Sequence, residues 1–460
     1  MEPKRIETDS MGSIQVPADR YWGAQTQRAL VHFAIGRERM PIEVIHAIAL
    51  IKQVAAIVNQ SLGVLGQRES ELIVAAAAEV AAGQFDDHFP LPVWISGSGT
   101  QCNMNVNEVI ANLAIERSGG VLGSRSPIHP NDHVNRSQSS NDVFPSAISV
   151  AAAQLLHDRL LPALEMLRLA LDVKKNEWQA VVKVGRTHLQ DAVPITLGQE
   201  VSGWVANLDA HGRRLRTALD ELLPLALGGT AVGTGLNAPA DFAARAAERL
   251  AEMTGLPFIT APNKFAVQGS HDALLAASAA LRGLAVFLHK MANDIRLLAC
   301  GPRAGLNELL LPANEPGSSI MPGKVNPTQC EALTMVCMQV IGLDQANALA
   351  NAGGQLEMNA YKPLLAFNLV TQLTLLSDAC LSFKHHLVEG MQPNLPVLET
   401  QVRGSLMLAT VLVPVLGYDR TAELTHYADT HGCSLEDANR ALAILPVEEL
   451  RRLLDPTALV

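Results

Sequence analysis

Apolar residues recur along 271–300 in alternating steps of three and four: Leu274, Ala277, Leu281, Leu284, Leu288, Met291, Ile295 and Leu298. A seam with this average step falls slightly short of the natural helical turn, so it imposes left-handed, nearly parallel packing on neighbouring helices. Leu275, Ala276, Val286, Phe287 and Leu297 stand on other faces of the same helix. The helix is therefore expected to be buried on more than one side, inside a bundle or at a subunit interface. Comparable stretches run over 146–173, 197–222, 327–352 and 364–388. The chain has 460 residues, 48% of them hydrophobic and only 4% aromatic, which suits Ala/Leu/Val packing of long helices. That length exceeds one ordinary core and implies two or three domains or one large helical assembly.

The flanks are less regular. Tyr21–Arg28 sets Trp22 among polar groups, as a packing anchor for an N-terminal arm would. Over 41–83 the pattern turns helical, with Ile42, Ile45, Ile48, Ile51 and Val54 three apart. Beyond Pro393 prolines cut the chain into short helical pieces, a small C-terminal domain. The 35 basic against 45 acidic residues give a net charge of −10 with no basic stripe, which excludes nucleic acid as an expected partner. Six scattered cysteines without CxxC spacing suit reduced thiols in the cytoplasm. The N-terminus shows no signal core or transit pattern. The run over 405–417, taken as the most apolar short stretch, is too brief for a bilayer, so a soluble protein is expected.

Chemistry-bearing residues gather in the breaks between helices. The run 317–327, GSSIMPGKVNP, holds two Gly and two Pro and cannot be regular structure. Asn326 suits a helix N-cap and Pro327 the first helical position. Loop N–H groups, Lys324 and the helix N-terminus together make an anion site. A second loop, Gly97-Ser98-Gly99-Thr100, leads into an Asn-rich helix start, and small hydroxyls beside glycine suit a carboxylate clamp. It is not a dinucleotide motif, because Cys102 occupies the third glycine position. His129 and His133 are four apart, but Pro130 and the lack of a following Glu argue against a metal pair. His188 sits among Arg186, Thr187, Gln190 and Asp191, unlike a core histidine. The glycine-rich run 228–237 lacks a P-loop ending and reads as a structural turn.

The runs GSSIMPGKVNP and GSGTQCNMNVNE, with Ser139-Ser140-Asn141 and Gly185–Pro194, resemble the fumarase/aspartase superfamily over nearly the whole chain. Gln101 and Gly323 resemble its class II fumarase branch more than its aspartases. The resemblance implies a mainly α, three-domain fold: 1–140 mostly helical, 141–392 a bundle of five long helices, and 393–460 a small helical domain. It further implies a homotetramer whose active sites are each shared by three subunits, with no metal and no cofactor. Ser318 would be the base, and His188, oriented by Glu331, would handle water on the opposite face. Ser98, Thr100, Ser139, Ser140, Asn141, Thr187, Ser319, Lys324 and Asn326 would bind the dicarboxylate. His129, Asn131 and Asp132 would form a second, peripheral dicarboxylate site. There this chain departs from many relatives, with His133 in place of Asp and Ser126 where a basic residue is usual.

The expected reaction is reversible, anti hydration of fumarate to (S)-malate through an aci-carboxylate. Proton removal beside a carboxylate builds charge that preorganised donors and a cation stabilise. The same fold serves aspartate ammonia-lyases, lyases of argininosuccinate and adenylosuccinate, and inactive structural relatives. The joint presence of Ser318, Lys324, Asn326 and His188 speaks against the last.

Overall fold

The structure, a computed structural model, describes residues 3–458 and 460. A hairpin of β1 (Lys4–Asp9) and β2 (Gly12–Pro17) leads to helix α1 (Ala24–His32). Trp22, the expected anchor, is buried beside it. The buried Glu108 carboxylate accepts hydrogen bonds from the Gly23, Gln25 and Thr26 N–H groups and from the Thr26 hydroxyl, which fixes the start of α1. Burial nevertheless pushes Glu108 up to about 7, against those donors.

The helical pattern over 41–83 resolves into two helices, α2 (Ile42–Ser61) and α3 (Gln67–Ala81). They part at Gly63, whose φ of +73° is open to glycine and costly to other residues. Ile45, Ile48, Ile51 and Val54 are essentially fully buried, as their spacing requires. Next come α4 (Thr100–Arg117), α5 (Ser140–Leu155) and α6 (Leu161–Glu177). A hairpin follows, β3 (Val182–Thr187) against β4 (Gln190–Thr196). The helices α7 (Leu197–Leu222), α8 (Phe242–Thr254), α9 (Lys264–Gly269), α10 (Asp272–Leu298), α11 (Thr328–Ala352) and α12 (Lys362–Phe383) complete the main body.

Two compact units emerge. The first joins Met1–Pro162, Gly212–Val286 and Val336–Ser377, and the second Ala163–His211, Phe287–Met335 and Asp378–Val460. Within the first, a buried polar network pins α10, α11 and α12. The Ser278 hydroxyl lies 2.7 Å from Asp344 Oδ1 and 3.0 Å from Gln372 Oε1, and Asn347 donates to Ser278 at 3.0 Å. Such a network, fully paired, favours one helix register over its neighbours. Within the second, Leu408, Leu412, Leu424, Leu435 and Leu450 enclose a small C-terminal core.

Every residue of the α10 seam, from Leu274 to Leu298, is buried inside this one chain. The seam is thus satisfied by the subunit's own core. Exposed apolar side chains lie off the seam: Val286 and Leu297 on other faces of α10, at 54 and 41%, and more fully Met335, Met338 and Leu349 on α11, at 64, 58 and 77%. The short apolar run at 405–417 forms the helical piece Leu406–Leu416, but longer apolar helices stand beside it. Helices Ile42–Ser61, Asp272–Leu298 and Lys362–Val388 are long and apolar enough to cross a membrane by length and composition. Much of that apolar character serves internal packing, as α2 shows.

Candidate active site

In the first unit, glycine lets two loops meet. A Cβ on Gly97 would collide with the Ala360 carbonyl, and Lys362 N–H donates to the Gly97 oxygen at 3.1 Å. Gly99, at φ +75°, opens α4. Thr100 thereby points its hydroxyl into a chain of hydroxyls: Ser96 to Ser98 at 3.0 Å, Ser98 to Thr100 at 2.7 Å, and Thr100 to Ser140 at 2.8 Å. Ser139 caps α5, accepting from Asn141 N–H at 3.2 Å, while Asp142 accepts from Ser139 N–H at 2.8 Å. This reciprocal box satisfies donors that the helix start would leave open.

The 228–237 turn is tied to the same helix start. Asp142 Oδ2 accepts from Gly228 and Thr230 N–H at 2.8 and 3.0 Å, and Asn141 donates to Ala231 O at 2.8 Å. Asp142, Lys52 and Asn135 were absent from the sequence candidates. The Ser139…Asp142 spacing of a capping box was the signal that would have found the first.

In the second unit His188 and Leu189 form the two-residue tip of the β3–β4 hairpin, with φ of +56° and +60°. Two positive φ values are the mark of the turn that matches strand twist, normally built from Asn and Gly. His188 therefore holds a costly backbone conformation at an exposed tip, a hallmark of functional positions. Thr187, beside it, is also exposed. Below the tip, the fully buried Glu308 carboxylate pairs with Arg186 and lies 2.9 Å from the Lys183 ammonium, which also reaches Glu200 at 2.9 Å. This cluster clamps the hairpin.

The 317–327 loop closes on itself. Gly317 N–H donates to Lys324 O at 3.0 Å, and the Asn326 amide donates to Gly317 O at 2.7 Å. Asn326 therefore seals the loop, and α11 starts at Thr328, one residue later than the proline pattern suggests. Pro327 O accepts the first helical N–H groups, from Cys330 and Glu331. Inside the loop, Ser318 Oγ accepts from Met321 N–H at 3.1 Å and Ile320 N–H at 3.3 Å. Ser319 and Lys324 are exposed on the same loop, and Glu331 is exposed on the first turn of α11. Among the described residues, no hydrogen bond joins His188 to Ser318 or to Glu331.

His129 caps the turn Pro130–Val134, its Nδ1 accepting from Asn131 and Asp132 N–H at 3.2 and 3.1 Å. His133 Nδ1 accepts from His129 N–H at 3.0 Å. Both rings thus spend a lone pair on the backbone, which removes it from any metal. Among the described residues no three His, Cys, Asp or Glu side chains could together hold a metal ion. His129 and Asn131 line a cavity of about 100 Å³ together with Arg125 and the carboxylates of Glu7, Asp9 and Glu108, while Asp132 is not part of its lining. Burial pushes His129 down, with Asp132 opposing and Arg125 reinforcing the shift.

Residues 12–342 match a family described as Lyase, and 408–460 match the Fumarase C C-terminus. A fumarate hydratase class II of Prochlorococcus marinus (strain MIT 9313) is 57% identical over 98% of this chain and 97% of its own. One from Thermosynechococcus vestitus is 56% identical over 97 and 96%. A class II fumarase structure from Schistosoma mansoni superposes with a TM-score of 0.96 at 43% identity, covering 99% of this chain and 98% of that one.

Proposed function

The chain belongs to the class II fumarate hydratase family of lyases, and from that premise we propose how its hydroxyl-rich loops perform the hydration. The enzyme interconverts fumarate and malate. One observation carries the catalytic reading: two backbone N–H groups converge on Ser318 Oγ. A serine hydroxyl is a weak base until its alkoxide is stabilised, and these donors are placed to do so.

In the malate-to-fumarate direction Ser318 takes the proton from the carbon beside one carboxylate. The electron pair moves into that carboxylate, giving the aci-carboxylate, whose extra charge faces Lys324, Asn326 and loop N–H groups. The intermediate then forms the double bond as the hydroxyl on the opposite face leaves as water, protonated by His188, with Glu331 orienting the imidazole. Ser98, Thr100, Ser139, Ser140, Asn141, Thr187 and Ser319 bind the substrate. These donors raise turnover to the extent that they match charge developing in the transition state. The active enzyme is a cytoplasmic homotetramer that assembles each site from three subunits. The exposed apolar residues of α11 support such an assembly. His129, Asn131 and Asp132 form a peripheral dicarboxylate site.

Mixing the purified protein with malate, in the presence of a chelator, should generate the ultraviolet absorbance of fumarate. Absence of fumarate, together with ammonia release from aspartate, would overturn the assignment.

A further inference from the structure

Lys52 is entirely buried in the middle of α2, in the first unit, and the reaction scheme gives it no part. Its ammonium donates to Asn135 Oδ1 at 2.8 Å and to Gln138 Oε1 at 3.0 Å. Asn135 Oδ1 also receives the amides of Asn103 and Asn107 from α4, at 3.1 and 3.2 Å. The Asn135 amide in turn donates to Gln138 O, and the Gln138 amide to Val134 O and Arg136 O. The segment entering Ser139 is a turn with a few backbone bonds of its own, such as Gln138 N–H to Asn135 O, and the two acceptors it offers to the buried cation tie it to α2.

The far end of that segment is held by a buried anion. Asp142 takes the N–H groups of Ser139, Gly228 and Thr230, and Lys52 acts on it electrostatically. Burial pushes the Lys52 ammonium down to about 7, and Asp142 opposes that shift. A buried charge is expensive unless paired and hydrogen-bonded, so a fully buried lysine mid-helix needs a compensating task.

We propose that Lys52 and Asp142 are a buried positioning pair: Lys52 gripping Asn135 and Gln138 at one end of the segment, Asp142 the N–H groups at the other, they hold Ser139-Ser140-Asn141 and the Gly228–Thr230 turn in the single geometry that binds a dicarboxylate. Neither touches substrate. The proposal rests on the reading of Ser139–Asn141 as substrate ligands, and its test separates the two.

The probe is Lys52→Met, which keeps length and burial while removing charge and donors. Hydrogen exchange on the substrate-free protein should show the amides of 135–141 and 228–230 opening about tenfold faster or more, the scale of one lost charge-assisted bond. The rest of α2 should stay protected. Unchanged exchange there overturns the proposal whether or not the protein hydrates fumarate. In turnover, KM for malate should rise about tenfold while kcat stays within roughly threefold, the signature of lost binding geometry. A purely structural lysine would instead lower the amount of active enzyme, so that apparent kcat falls at constant KM, and that result also overturns the proposal. Should Lys52→Met not fold, Gln138→Met, at a partly exposed position, carries the test: it removes one acceptor of the ammonium and the amide's bonds to Val134 O and Arg136 O while leaving the charge and Asn135 in place, and should move exchange and KM in the same direction. If wild-type protein fails to act on malate, the functional reading falls, while the exchange result still decides the positioning role.

Discussion

Gly317→Ala tests whether the 317–327 loop works as a preorganised device. An added Cβ would strike the Lys324 carbonyl oxygen first, with Asn326 N at 2.9 Å and Lys324 C at 3.0 Å. Carbon contacts settle near 3.5–4.0 Å, so the Lys324 carbonyl must retreat by roughly 1 Å. That retreat breaks the Gly317 to Lys324 bond and disturbs the Asn326 seal, and so moves Lys324 and Ser318 apart. A misplacement of this size costs about 100-fold in rate, or roughly 3 kcal/mol of barrier. The global fold should hardly change, because the loop is largely exposed and contributes little to the core. Initial rates followed by fumarate absorbance, alongside thermal unfolding, separate the two effects. A variant with kcat within threefold of wild type would show that loop closure does not set the catalytic geometry.

His188→Asn should cut kcat by about 100-fold to 10,000-fold, the usual range for a lost acid–base group, with the assembly intact. Asn tolerates the left-handed backbone at the hairpin tip, so a near-normal rate would remove His188 from the reaction rather than indict folding. Glu308→Gln leaves the buried Lys183 with Glu200 alone and the half-buried Arg186 without its close carboxylate, and should cost about 3 kcal/mol in denaturant unfolding. It should also lower turnover through the loosened His188 hairpin; an unchanged midpoint refutes the clamp. Met338→Glu with Leu349→Glu should leave the subunit folded but put unpaired charge on the exposed α11 face, so sedimentation should show dissociation and turnover should fall with it. A fully active protein of unchanged size would sink the shared-site reading.

Where local periodicity sets the structure, the sequence was legible. The α7 stretch ends where its pattern does, at Leu197 and Leu222, and the α10 seam is buried along its length. The β3–β4 hairpin was not legible, because its tip is His-Leu rather than Asn-Gly. Turn chemistry had been overridden there, and the override falls on the residue expected to do acid–base work. Lys52 is not legible for the opposite reason: one lysine in an apolar helix reads as a surface residue, and only the fold buries it completely. The loop residues Ser318, Lys324 and Asn326 were legible as a motif, but the N–H groups aimed at Ser318 Oγ depend on how Gly317 and Asn326 close the loop.

A heptad seam states that a helix has a close neighbour, and says nothing of whose chain supplies it. In α10 the neighbour is the same chain, so charging Leu284 or Leu288 would test the subunit core and not the assembly. On α11 apolar residues occur all round the helix, which leaves no seam to read, yet its own chain covers Leu333, Cys337 and Val340 and leaves Met335, Met338 and Leu349 bare. Burial of one face by the subunit makes the remaining apolar face informative, since a helix facing water on that side would gain from polar residues there. The assembly signal therefore lies in what the folded subunit leaves uncovered, and α11, which begins directly after the Ser318 loop, places that signal on the element that follows the proposed base.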